Sequence, residues 1–472
     1  MCGITGIVDF HNPNDFMPIE VMTDRLAHRG PDMSDVRFFG NCALGHRRLS
    51  ILDLSESARQ PMFTEDGHKA IVFNGEIYNF IELRSGLESR GHVFRTNSDT
   101  EVALRLYVEY GSAMPAMMNG MFSIAIWNDE ERSLFLARDR LGKKPLYYCL
   151  NGSRFSFASE LYSLLADPLV PRDLNSQAMF EYFMYDFIPA PHSIFRDIHK
   201  LPAAHKAVLN SDGFRIERYW SPPDPEDGLN YNDTVAELRD VIMDATRKRL
   251  ISDVPLGAFL SGGLDSTLIT ALMKTDLSSE VKTFSVTFPG ASHDESRWSR
   301  LASKALRTDH TENPASYDIE AIFPRLAYRF GEPFGDSSAL PTWILSQKTR
   351  EKVTVALSGD GGDELFGGYE RYIARKIQSV YDSFPSLIRK SVIEPLLKKA
   401  PETTDYYGTS LVKKLKLFVK ASDRMRNEPL ALIPRTFSFQ EVRQLTGIEY
   451  EIESDPVIET ARSYLRLGPV QS

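Results

Sequence analysis

Cysteine is scarce in this chain: three residues in 472, Cys2, Cys42 and Cys149. They are too few and too scattered for a disulfide framework or a zinc cluster. No apolar run approaches the ~20 residues that a membrane-spanning helix needs, and the amino terminus lacks the basic start and apolar core of a secretory signal. Positive charge is also short. With 55 Lys and Arg against 64 Asp and Glu the net charge is −9, which argues against nucleic acid or an anionic membrane surface as the main partner. These absences predict a protein of a reducing, cytoplasmic setting whose partners are small molecules.

What the chain does have is length and two contrasting rhythms. At 472 residues, 42% hydrophobic and 25% charged, it exceeds one ordinary core and has a globular composition. In the first part, short apolar or β-branched stretches predict strands at Gly3–Phe10, His68–Phe73, Met121–Trp127, Ser133–Ala137, Leu146–Cys149 and Phe155–Ala158. The second of these is expected to run into a turn at Asn74-Gly75, and Asn128–Glu131 to close a hairpin. Helices are predicted over about Phe80–Arg90 and, from the capping-box pattern Ser98-Asp99-Thr100-Glu101, up to Gly111. The reading is a layered α+β domain over residues 2–215.

The proline- and acid-rich stretch Ser221–Gly228 marks a linker, placed at 216–232. In the remainder, 233–472, a helix near Asp233–Leu250 and apolar strands at Val254–Leu260, Val281–Phe288 and Val353–Leu357 alternate with further helices. Those helices fall at about Asp294–Leu306, Ile319–Phe330 and Ala339–Arg350. That alternation predicts an α/β domain with a doubly wound parallel sheet. From about Ser379 the chain reads as helical, and its lysine clusters, Lys398-Lys399 and Lys413-Lys414 with Lys416, read as solvated helix faces.

Three features carry chemistry. Cys2 follows the initiator methionine, which is expected to be trimmed, leaving a thiol and a free α-amine on one residue. Such an amine has a reference pKa of about 8 and can accept the thiol's proton. Ser261-Gly262-Gly263-Leu264-Asp265-Ser266 stands between a strand and a helix, as a phosphate-cradling turn does. It lacks the Lys-Ser/Thr pair of a Walker A loop, so backbone, hydroxyls and a metal held by Asp265 must serve instead. A second loop, Ser358-Gly359-Asp360-Gly361-Gly362-Asp363-Glu364, follows another strand of the same domain. Strand ends of one sheet converge on one crevice, so the two loops predict a nucleotide–Mg²⁺ site.

Ser261–Ser266 resembles the PP-loop of the ATP pyrophosphatase superfamily. Cys2-Gly3-Ile4, Asn74–Asn79 and Ser98–Glu101 resemble class II, N-terminal-nucleophile glutamine amidotransferases. In this order, and joined by Leu256–Ser266 and Leu357–Tyr369, they resemble the glutamine-hydrolysing asparagine synthetases over roughly residues 1–375. The resemblance implies an αββα N-terminal-nucleophile-hydrolase sandwich followed by the synthetase domain. It also implies ATP-dependent amidation of aspartate, with glutamine as nitrogen donor and ATP and Mg²⁺ as cofactors.

By resemblance Cys2 is the nucleophile, Asn74 and Gly75 donate to the oxyanion, and Arg48, Leu49, Ser50, Ile51, Asn74, Glu76 and Asp99 hold glutamine. Phe259, Ser261, Gly262, Gly263, Asp265, Ser266, Val286, Ser358 and Gly359 contact ATP, and Asp265 and Asp363 hold the metal. Asp360 joins the catalytic set, and Glu332–Ser338 resembles the acceptor-side loop, with a helix cap at Asp336 or Ser337 as the rival reading. Two departures stand out. Asp360 is one methylene shorter than the family's common glutamate. Asp423-Arg424-Met425-Arg426 is not the family's Asp-Arg-x-Ser-Met-type segment, and no late lysine motif follows. A homodimer, a separate C-terminal half, an amidotransferase for another carboxylate, and a glutaminase or non-catalytic protein with a crippled synthetase domain therefore stay open.

Overall fold

A computed structural model describes residues 1–472 except 13–14, 225–227, 278–279, 289–293, 316–317, 402–411, 417, 420–421, 423–435, 451–454 and 466–472. The chain forms two compact units that are not consecutive stretches. One joins Met1–Val254 with Asp318–Ser337 and Phe437–Val457. The other joins Pro255–Tyr317 with Ser338–Thr436 and Ile458–Ser472.

The first unit contains strands β1 (Gly3–Asp9), β2 (Met33–Phe38), β3 (Cys42–Arg48), β4 (Met62–Phe63), β5 (Lys69–Ile77), β6 (Gly120–Asn128) and β7 (Ser133–Arg138). It continues with β8 (Tyr147–Asn151), β9 (Arg154–Ala158), β10 (Ile198–Lys200), β11 (His205–Asn210) and β12 (Gly213–Arg218). They make two six-stranded sheets, β10-β8-β9-β1-β3-β2 and β12-β11-β7-β6-β5-β4. Strand alternation sorts side chains onto opposite faces. Ile4 and Val8, Cys42 and Leu44, Ala70 and Val72, Ala125 and Trp127, and Phe155 and Phe157 share one core, the layer between the sheets. Burying Phe155 and Phe157 there contributes roughly 1.5–3 kcal/mol each.

The odd-numbered partners on β5, Ile71 and Phe73, face the other way and pack with helices α2 (Phe80–Glu88) and α3 (Asp99–Tyr110). Ile7 and Ala43 do the same against α1 (Pro18–Asp24), α4 (Leu161–Leu164) and α5 (Ser176–Tyr185). The result is the αββα sandwich.

Two local expectations change. Asn74-Gly75 is not a turn: β5 runs through it to Ile77, with Asn74 opposite Ser123 and Gly75 opposite Phe122. Pairing along β6 overrides the turn preference of the dipeptide. Glycine is needed because a Cβ at residue 75 would lie 2.3 Å from the Met121 carbonyl oxygen. The capping box at Ser98 is half formed. Ser98 Oγ accepts from Glu101 N (3.3 Å), but the Glu101 carboxylate accepts from Thr96 N (2.7 Å) rather than from its own cap. Strands β2, β3, β4 and β10–β12 were not legible, because charged and polar residues interrupt their patterns.

His46 ties the sheets together. From β3 its Nε2–H donates to the Phe73 carbonyl on β5 at 3.1 Å. Burial, partly offset by that bond, depresses its pKa to about 3. The unfolded chain takes up this proton first, so stability is lost as pH falls below about 6.5. Between pH 7 and pH 5 His46 alone should remove about 2 kcal/mol. Denaturant melts at both pH values should show a correspondingly smaller pH effect in His46→Gln.

In the second unit β13 (Leu256–Phe259), β14 (Lys282–Thr287), β15 (Asp309–Pro314) and β16 (Val355–Leu357) form a parallel sheet of order β15-β14-β13-β16. The chain winds outward from β13 through β14 to β15 and then returns to the far side of β13. The winding therefore reverses at the carboxyl ends of β13 and β16, where ligands of such sheets bind. Helix α6 (Tyr231–Lys248) belongs to the first unit, while α7 (Leu264–Asp276) and α8 (Ser296–Leu306) flank this sheet. Residues 423–426 lie outside the described residues.

Candidate functional site

Cys2 stands immediately before β1. Ile4 and Val8 face the layer between the sheets, so strand parity turns Cys2 the same way. The β1–β3 register sets Gly3 opposite Arg47, which brings Cys2 and Arg48 to one end of that layer. Sγ accepts from Leu49 N at 3.4 Å, and Arg29 Nε donates to the Cys2 carbonyl at 2.8 Å. The fit around residue 2 is close: a Cβ on Gly3 would meet Leu26 Cβ at 2.7 Å, and one on Gly30 would meet Arg47 carbonyl carbon at 2.2 Å. Met1 is largely exposed, with Sδ 3.0 Å from Lys144 Nζ. Burial pushes the Cys2 thiol up, against the pull of the terminal ammonium, the Leu49 N–H and Arg48. A thiol held neutral in this way needs a base at hand.

On the facing sheet Asn74 and Glu76 leave β5 on the same side as Ala70 and Val72, toward Cys2. Asn74 is wholly buried, yet among the described residues neither Oδ1 nor Nδ2 has a hydrogen-bond partner. An unpaired buried amide costs about 1–3 kcal/mol. An amide left so is free to bond a group that enters the layer.

Asp99 opens α3 and accepts from Ile77 N at 2.9 Å. Burial raises its pKa to about 6 against the pull of the N–H groups of Ile77 and the helix start and of Arg48. Burial and the adjacent Asp99 drive the Glu76 carboxyl well above the usual range, despite Lys144 and the terminal ammonium. The two carboxyls titrate as a pair, with Asp99, better supplied with N–H donors, the ionised member near neutrality.

Arg48 is buried and spans the next loop: Nη1 donates to Ser55 O at 2.9 Å, and Nη2 to Leu52 O at 3.2 Å and to Asp53 O. This holds Leu49, Ser50 and Ile51 beside Cys2. Ser50 N donates to Asp32 Oδ2 at 2.8 Å, while Ser50 Oγ is buried without a partner among the described residues.

In the second unit the Ser261–Ser266 turn follows β13 and opens α7. Ser261 Oγ and Ser266 Oγ lie 2.9 Å apart, and Gly263 N donates to Ser261 Oγ at 3.1 Å. Gly262 has φ +85°, and a Cβ there would lie 2.3 Å from Trp298 of α8. The second loop seats against this one. A Cβ on Gly359 would fall 2.6 Å from Ser266 N, and one on Gly362 would fall 2.6 Å from Asp265 Cγ. Ser358 Oγ donates to Asp360 Oδ2 at 2.9 Å, and the Asp363 carboxylate folds back on Gly368. Phe259 is the last residue of β13 and Val286 the last but one of β14.

Among the described residues no three His, Cys, Asp or Glu side chains gather closely enough to cage a metal. The Asp265 carboxylate lies against Gly362 of the second loop, on the same turn as the exposed hydroxyl of Ser261, an all-oxygen donor set of the kind that suits a hard divalent cation.

Glu332 packs within the first unit. It forms a partly buried ion pair with Lys200, meets Tyr147 Oη at 3.5 Å and accepts from Ile194 N at 3.4 Å. The following helix starts at Ala339, with Ser338 rather than Asp336 or Ser337 at its cap position.

The description "glutamine amidotransferase domain" fits residues 1–220, and "asparagine synthase" fits residues 237–456. A Methanocaldococcus jannaschii protein described as a putative glutamine-hydrolysing asparagine synthetase 2 is 37% identical over 416 residues, 82% of this chain and 79% of its own length. The chain belongs to the glutamine-hydrolysing asparagine synthetase family. A second member, asparagine synthetase 1 of Bacillus subtilis, is 34% identical over 83% of this chain, which spans 63% of that relative's length. A Gibberella zeae protein described as amidase chry2 is 28% identical over 82% of this chain and 62% of its own length. The Cys2 cluster lies within the amidotransferase match and the paired serine–glycine loops within the synthase match.

Proposed function

We propose that the chain is a glutamine-dependent asparagine synthetase, hydrolysing glutamine in the first unit and amidating an ATP-activated aspartate in the second. Cys2, its α-amine freed by loss of Met1, passes its thiol proton to that amine and attacks the side-chain amide of glutamine. Asn74, with Gly75, receives the oxyanion. The α-carboxylate goes to the Arg48 side and the α-ammonium to Glu76 and Asp99. Water then releases glutamate from the thioester, and ammonia is carried to the second centre.

There the aspartate side chain attacks the α-phosphate of ATP, pyrophosphate leaves, and ammonia displaces AMP from the acyl-adenylate. Ser261, Gly262, Gly263, Ser266, Ser358 and Gly359 cradle the phosphates. Mg²⁺, when bound by Asp265 and Asp363, neutralises charge on the departing pyrophosphate. The observation that carries the reading is Asn74, a fully buried amide without a partner among the described residues, on the face turned toward Cys2.

The test is a product assay with ATP, Mg²⁺, glutamine and aspartate. Glutamate, AMP, pyrophosphate and asparagine in matching amounts support the reading. The shorter Asp360 and the likeness to a protein described as an amidase favour a second reading, the same chemistry on another carboxylate. Pyrophosphate release that requires a carboxylate other than aspartate selects it. Glutamate without pyrophosphate for every carboxylate tried leaves the glutaminase alone.

The buried carboxylates predict a pH dependence. Glutamine's ammonium requires an ionised Asp99, whose free-enzyme pKa lies at about 6. KM for glutamine should therefore rise as pH falls below about 6, by up to about tenfold per unit. In Asp99→Asn the KM should be at least about tenfold higher at pH 7 and flat over the same range.

A further inference from the structure

Asn74 has a neighbour that neither the motifs nor the family resemblance singles out. In the β5–β6 ladder it is paired directly with Ser123. Both side chains leave the face occupied by Val72 and Ala125 in the inter-sheet core, the face turned toward Cys2. Ser123 is wholly buried, and its Oγ, like both amide atoms of Asn74, has no hydrogen-bond partner among the described residues. A hydroxyl so placed is a net cost that alanine would avoid, and the next residue on this face of β6 is indeed alanine, Ala125.

Directly paired residues have Cβ atoms about 4.5–5.5 Å apart, so rotation about the Ser123 Cα–Cβ bond brings Oγ within reach of the Asn74 amide. That amide has two ends of opposite polarity, and only its NH₂ stabilises an oxyanion. A donor to Oδ1 selects the productive orientation. Two other donors of these strands are committed elsewhere. His46 donates to Phe73 O, and Arg138, on β7 directly opposite Ser123, spends its guanidinium on the carbonyls of Lys144, Leu201 and Gly142.

We propose that Ser123 is a positioning residue of the glutamine site: its O–H donates to Asn74 Oδ1 and turns Nδ2 toward the developing oxyanion. The inference rests on the glutaminase reading of Cys2 and Asn74. An orienting bond of this kind acts on the transition state and leaves glutamine's α-groups untouched, so it belongs to kcat rather than KM.

Steady-state glutamine hydrolysis of wild type, Ser123→Ala, Asn74→Ala and the double variant tests it, with thermal melting as the check on folding. Ser123→Ala should lower kcat about threefold to tenfold, the span of one hydrogen bond, with KM unchanged. In the Asn74→Ala background the same substitution should cost nothing further, because the group it orients is gone. An unchanged kcat, an effect confined to KM, or a loss that recurs undiminished without Asn74 overturns the inference. A wild type that does not hydrolyse glutamine overturns the glutaminase reading with it. Normal wild-type turnover without the Ser123 signature overturns the Ser123 role alone.

Discussion

Cys2→Ala should reduce glutamine hydrolysis by about 10⁴-fold or more, the scale of removing a covalent nucleophile, while amide synthesis from added ammonia continues. The substitution deletes one sulfur whose hydrogen bonds among the described residues are with Leu49, N–H at 3.4 Å and carbonyl at 3.7 Å, so the sandwich loses little. Asn74 and the carboxylate pair remain, and glutamine should still bind. Glutamate release and ammonium-dependent AMP production, measured side by side, separate the two reactions. Loss of both together would mean that Cys2 does more than free nitrogen. The intact mass of the purified protein belongs to the same experiment, because a retained Met1 leaves the thiol without the amine that takes its proton.

Asp265→Asn is expected to show the converse: pyrophosphate release lower by about 10²-fold or more, the typical worth of one electrostatic stabiliser at a reacting phosphate or oxyanion, with glutaminase turnover unchanged. Asparagine keeps the shape that lies against Gly362 and removes only the charge. Neutrality there weakens a cation shared with the nucleotide, so raising Mg²⁺ should recover part of the rate. Pyrophosphate release at the wild-type rate would take Asp265 out of the metal role.

The two centres were legible to different degrees. Ser261–Ser266 could be read directly, because a strand, a glycine turn and a helix start are contiguous in sequence and their geometry is local. The meeting of that loop with Gly359 and Gly362 needed only the rule that parallel strands end on one crevice. Asn74 reads from the sequence as part of a turn, and the structure places it within β5. Asn-Gly is a strong turn signal, and only the ladder with β6 shows it to be mid-strand.

Asp99 reads from the sequence as a glutamine-holding residue within a capping-box pattern, but the Ile77 N–H that it accepts lies 22 residues away. His46 carried no signal beyond its motif, since its partner is a backbone carbonyl of another sheet. Ser123 gave none at all. Serine in a strand means little until the opposite residue is known to be an unpartnered amide.

By itself the sequence determined which chemistry the chain could attempt: a cysteine beside the amino terminus, two serine–glycine turns ending in acids, and an excess of negative charge. It also determined the two architectures, because periodicity and glycine placement act over a few residues. The tertiary structure decided what faces what. Strand order, the register of Asn74 against Ser123, the burial that shifts Cys2, Glu76, Asp99 and His46, and the assignment of Glu332 to the first unit all depend on pairings between distant segments. Desolvation and hydrogen-bond satisfaction are set by whichever groups arrive from elsewhere in the chain, and no local stretch of residues records their arrival.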